Sequence, residues 1–113
     1  MTVGEVLEKI GAEVLCDAGA DRPVKSAVVG DLLSFVMGNA PEGAAWVTVV
    51  AHANVAAVAV LKDMPCILIA ADREAAPDFI ERCRREDIAV WRSPRSPFEL
   101  CGALWDLGLR GEG

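Results

Sequence analysis

Two stretches of this chain, Ala45–Val50 (AWVTVV) and Cys66–Ala70 (CILIA), are apolar almost without a break. A strand with one wet face alternates polar and apolar residues. A strand that does not alternate is covered on both faces. Helices must therefore lie on both sides of the sheet, and helical spacing does recur between the strand-like runs. The pattern predicts an α/β protein of three layers, α/β/α, with a mainly parallel or mixed sheet of about five strands.

Taken in order, the chain opens with Thr2–Glu5 (TVGE), which has the spacing of a capping box. Val6, Leu7 and Ile10 follow at helical spacing, and Gly11 stops the helix. Ala12–Cys16 reads as a strand, Asp17–Pro23 as a loop, and Val24–Gly30 (VKSAVVG) as a second strand. Asp31 is expected to cap a short helix from Leu32 to Met37, closed by Gly38 and Asn39. After the strand at Ala45–Val50 comes a polar corner, His52–Asn54, and then a helix, Val55–Lys62, with Asn54 as its expected cap. That helix has no polar stripe, so it is expected to be covered on all sides, within the domain or by a partner. Pro77 starts the next helix, with Phe79, Ile80 and Cys83 on its core face and Arg82, Arg84, Arg85 and Glu86 in solvent. Ile88–Trp91 is the last strand. Ser96–Glu99 (SPFE) is a complete helix start, and Phe98, Leu100, Leu104 and Trp105 are the expected core side of a helix ending at Gly108.

The chain has 113 residues, 53% of them hydrophobic, enough for one core, so a single domain over 1–113 is expected. A net charge of −6 argues against a nucleic-acid binder, which needs a basic surface. The four cysteines, Cys16, Cys66, Cys83 and Cys101, are scattered and have no close histidine, which fits buried, reduced thiols better than a metal site. The start of the chain lacks the basic and apolar regions of a signal peptide, and the longest apolar run, Val55–Leu61, is far short of the ~20 residues that cross a bilayer. The expected setting is cytoplasmic, with no membrane and no cofactor.

In parallel sheets, ligands sit beyond the carboxyl ends of the strands. Those ends gather the candidate ligand-binding residues Asp31, Ser34, Asn39, His52, Asn54, Asp72, Arg73 and Ser96. His52, the sole histidine, has no Ser or Cys nucleophile beside it in sequence, so it suits ligand contact better than catalysis. Arg73 can grip a phosphate or carboxylate with two prongs, or form a surface ion pair. Trp46, Trp91 and Trp105 read as core or interface anchors. No G-x-x-x-x-G-K-[ST], G-x-G-x-x-G, H-E-x-x-H or G-x-S-x-G occurs, so no catalytic residue is assigned and no enzyme is expected.

The segments VKSAVVGDLLSFVMGNA (Val24–Ala40), WVTVVAHANVAAVAVL (Trp46–Leu61) and CILIAADREAAPDFIERCRREDIAVWRSPRSPFEL (Cys66–Leu100) resemble the DRTGG domain family. The D-R-T-G-G string itself is absent, with Asp72–Glu74 (DRE) its nearest local echo. Such domains occur alone, beside CBS domains in regulatory pyrophosphatases, and in some phosphotransacetylases. They are related to the amino-terminal domain of HPr kinase/phosphorylase, whose P-loop half is missing here. The resemblance implies a three-layer α/β domain, often dimeric, that serves regulation or assembly. The expectation is thus a homodimeric, non-catalytic domain sensing a nucleotide or phosphorylated metabolite. The alternatives are a protein–protein adaptor without a ligand and, third, a component of a serine kinase or phosphotransfer system.

Overall fold

A computed structural model describes residues 1–111 of the chain. The amino-terminal helix α1 (Val3–Ile10) begins at Thr2, whose hydroxyl accepts the Glu5 N–H while Glu5 accepts the Thr2 N–H, the expected capping box. Strand β1 (Glu13–Cys16) follows, then β2 (Ser26–Val29), helix α2 (Leu33–Asn39) and β3 (Ala44–Thr48). Helix α3 (Ala53–Leu61) leads to β4 (Cys66–Ile69), α4 (Pro77–Arg85) to β5 (Ala89–Arg92), and α5 (Pro97–Asp106) comes last.

The five strands form one mixed sheet in the order β1-β5-β4-β3-β2. β2 to β5 are parallel, and β1 joins β5 antiparallel, with Glu13 opposite Arg92 and Val14 opposite Trp91. From β2 to β5 every crossover steps one strand in the same direction. Right-handed crossovers then place α2, α3 and α4 on one face of the sheet. The opposite face is covered by α1 and α5.

Strand alternation sorts the core into two layers. Trp46, Ile67 and Val90 are aligned across β3, β4 and β5 and point toward Val55, Ala59 and Phe79. Their neighbours Val47, Leu68 and Trp91 form the next row and meet Val3, Val6, Leu100 and Leu104. Both rows are buried, as the unbroken apolar strands require; covering such a side chain contributes about 1.5–3 kcal/mol.

Several local expectations change. Asp31 does not cap α2, whose N-cap is Leu32 with no side-chain bond. Asn39 is the last residue of that helix, not its cap, and its amide donates to the Phe35 carbonyl at 2.9 Å. Asn54 lies inside the first turn of α3, because the N-cap is His52, again without a side-chain bond. The chain by itself does not cover α3 on all sides: Val55, Ala56, Val58 and Ala59 are buried, but Leu61 is 72% exposed. On α5 the Ser96 box and the Leu100 and Leu104 core face form as expected, while Phe98 and Trp105 point to solvent, since a pitch of 3.6 residues per turn turns both away from that stripe.

Candidate functional site

β3 and β4 end side by side, and the loops leaving them shape a cleft of ≈ 660 Å³. One wall is Val49–His52, leading into α3, and the other is Asp72–Pro77, leading into α4. The loops are tied together, with the Ala76 N–H donating to the Ala51 carbonyl at 3.0 Å and the Ala70 N–H to the Thr48 carbonyl at 2.9 Å.

The β4 loop turns sharply at Ala71 and Asp72, which both adopt left-handed backbone angles (φ 56° and 52°). For residues with a Cβ each such conformation costs roughly 1–2 kcal/mol. It is held by the neighbouring β5 loop: the Ala71 N–H donates to Arg95 O at 2.8 Å and the Asp72 N–H to Ser93 O at 2.9 Å. Ser93 is itself buried and accepts the Arg95 N–H at 3.1 Å. The turn thus fixes where the Asp72 and Arg73 side chains leave the backbone.

The N-cap residues of both adjoining helices, His52 and Ala76, line the cleft, and neither makes a side-chain cap bond. Pro77, at the first position of α4, has no N–H to satisfy. At α4 the Asp78 carboxylate accepts the Phe79 N–H at 2.9 Å, so the start of α3, which no side chain claims, carries the partial positive charge toward this space. Arg73 adds a full charge and takes part in no ion pair among the described residues. Asp72 and Glu74 supply acceptors suited to hydroxyl groups.

Of the candidate residues, His52, Asp72 and Arg73 come together at this cleft. Asp31 stands behind its wall, accepting from the Thr48 hydroxyl at 2.8 Å and the Val49 N–H at 2.9 Å. Ser34 and Asn39 on α2, and Asn54 on α3, are exposed but do not line it. Ser96 is engaged in capping α5 through Glu99. Sequence reasoning placed the start of α4 at Pro77 but did not count Glu74 or Ala76, which line the cleft, among the site residues.

The cysteines lie elsewhere. Burial pushes the Cys66 thiol up to about 12, and burial together with nearby Cys16 does the same for Cys83. Among the described residues no group of three or more His, Cys, Asp or Glu side chains could hold a metal ion. No helix among them is long and apolar enough to cross a membrane.

No family model matches the chain, and no curated protein matches it. Among solved structures, the fold is similar to that in the crystal structure of the CBS and DRTGG domains of the regulatory region of Clostridium perfringens pyrophosphatase, complexed with its activator, diadenosine tetraphosphate. The match has a TM-score of 0.73 at 16% identity and covers 91% of this chain but 45% of that one. The chain therefore spans less than half the length of that regulatory region, and has a three-layer α/β fold that occurs within it.

Proposed function

We propose that this chain is a single regulatory domain of the DRTGG type that senses a nucleotide or phosphorylated metabolite without transforming it. The observation that carries this reading is the cleft beyond β3 and β4, where the uncapped start of α3 meets Arg73, which forms no ion pair among the described residues. A phosphate group satisfies free N–H donors and a guanidinium at once. The carboxylates of Asp72 and Glu74 beside them accept hydrogen bonds from sugar hydroxyls, which favours a ligand with both groups. The similar fold in an activator-binding regulatory region supports the same class of role.

Calorimetry and thermal unfolding with diadenosine tetraphosphate, adenine mononucleotides and sugar phosphates test the proposal. A true ligand at a hundred times its dissociation constant adds ~2.7 kcal/mol of stability. Arg73→Ala should remove that gain. Silence across the panel would overturn the ligand-sensing role. We propose a homodimer as the working form, which light scattering tests against the 12.0 kDa monomer mass.

A second reading, an adaptor that binds another protein, rests on one observation: Leu32 and Phe35 at α2 and Leu61 on α3 are 68%, 52% and 72% exposed, apolar side chains that a partner protein would cover. Leu61→Lys and Phe35→Lys would leave ligand binding intact and abolish such a contact.

A further inference from the structure

The chain has eight arginines, and the fold engages five of them. Arg22, Arg82, Arg84 and Arg92 are in ion pairs, and Arg110 donates to two backbone carbonyls. The guanidiniums of Arg73, Arg85 and Arg95 have neither kind of partner among the described residues. Arg85 is the last residue of α4, away from the carboxyl ends of the strands. Arg73 and Arg95 both stand at those ends, on the loops that leave β4 and β5.

β4 and β5 are neighbours, but α4 packs on one face of the sheet and α5 on the other. Their exit loops therefore part at a topological switch point, where open α/β sheets take ligands. The loops are stitched together at the root, with the Ala71 N–H on Arg95 O at 2.8 Å and the Asp72 N–H on Ser93 O at 2.9 Å. The Arg95 N–H is held in turn by the buried Ser93 hydroxyl at 3.1 Å. Both arginines are thus exposed on a fixed backbone. The start of α3, Arg73 and Arg95 follow one another across the ends of β3, β4 and β5, strands spaced ~4.8 Å apart.

We propose that this row of donors receives a chain of two or more phosphates, so that the ligand is a diphosphate or longer polyphosphate ester and Arg95 reads its second phosphate. This rests on the ligand-sensing role of the cleft and names the class of ligand. A phosphate monoester offers three acceptor oxygens. The Arg73 fork takes two of them and an N–H at the start of α3 the third. A further guanidinium on the next loop then has an acceptor only where a second phosphate follows the first.

Calorimetry on the full chain with adenosine monophosphate, adenosine diphosphate, inorganic phosphate and inorganic pyrophosphate tests this. Each diphosphate is expected to bind about tenfold tighter than its monophosphate counterpart. Arg95→Ala should erase that preference while leaving monophosphate affinity and the urea midpoint of the free chain unchanged. Arg73→Ala should weaken all four probes. Binding confined to monophosphates, diphosphates that bind no tighter, or an Arg95→Ala chain that loses affinity for both classes alike would overturn the second-phosphate contact and leave the ligand-sensing role standing. Silence of these probes and of the sugar phosphates and diadenosine tetraphosphate would overturn both.

Discussion

The Asp31 carboxylate holds the Thr48 hydroxyl at 2.8 Å, and the same oxygen accepts the Val49 N–H at 2.9 Å. Thr48 is 1% exposed, and its oxygen in turn accepts the Val50 N–H at 3.1 Å. One carboxylate thus sets the path of the chain as it leaves β3 and enters the cleft wall. Asp31→Ala should lower stability by about 1–2 kcal/mol in urea unfolding, since it leaves a buried hydroxyl and an N–H without their acceptor. Asp31→Asn, which keeps a carbonyl oxygen there, should recover most of the loss.

At the other end of the sheet, Arg22 joins three loops. Its guanidinium donates to the Asp87 carbonyl at 2.8 Å and to the Asp63 carboxylate at 2.8 Å, and both aspartates have left-handed backbone angles. Arg22→Lys should lose nearly as much stability as Arg22→Ala, on the order of 1–2 kcal/mol, because a point charge cannot span both partners. Equal stability of the lysine variant and the parent in urea would contradict this.

His52 occupies an N-cap without capping, although its extended backbone (φ −129°, ψ 176°) suits a capping side chain. His52→Asp should therefore stabilise the free protein by about 0.5–1 kcal/mol by claiming the N–H groups of α3. The same change should weaken phosphate binding, since the new carboxylate takes the ligand's place. Opposite shifts in unfolding midpoint and in calorimetric affinity are the expected pair of results.

The thiols give a pH dependence. Both Cys66 and Cys83 are raised from 9.0 to about 12 by burial, with Cys16 adding to the rise at Cys83. Between those values the unfolded chain has released protons that the native chain still holds. Stability therefore falls as pH rises through this window, by up to about 1.4 kcal/mol per pH unit for each thiol. Urea midpoints measured from pH 8 upward should show the decline, and Cys66→Ala should reduce its slope. Labelling at pH 8 should reach Cys101 first, since it alone of the four cysteines is partly exposed.

How far the sequence could be read depended on the range of each interaction. Trp46 and Val47 announced strands covered on both faces, and their burial against α3 and α1/α5 follows from that alone. The two capping boxes were legible because all their partners lie within four residues. Asp31 was misplaced because its local signal, an acid before a helix, matches a cap, whereas its real partners are 17 and 18 residues away. Asn54 failed for the reverse reason, since α3 starts before it. The cleft was half legible: strand ends marked His52, Asp72 and Arg73, but the tie between the two loops is a backbone bond from Ala76 to Ala51 that no side chain announces.

The layer formed by α1 and α5 has a consequence for how the molecule is assembled. Its two helices come from opposite ends of the described chain, and the β1–β5 pairing that accompanies them joins Glu13 to Arg92, 79 positions apart. The other layer, with α2 to α4, is built from successive neighbours. During synthesis the α2–α4 side can close while the ribosome is still at work, but Val47, Leu68 and Trp91 stay bare until residues 97–106 emerge. The sheet therefore matures one face at a time, and the second face is sealed when α5 comes to lie beside α1.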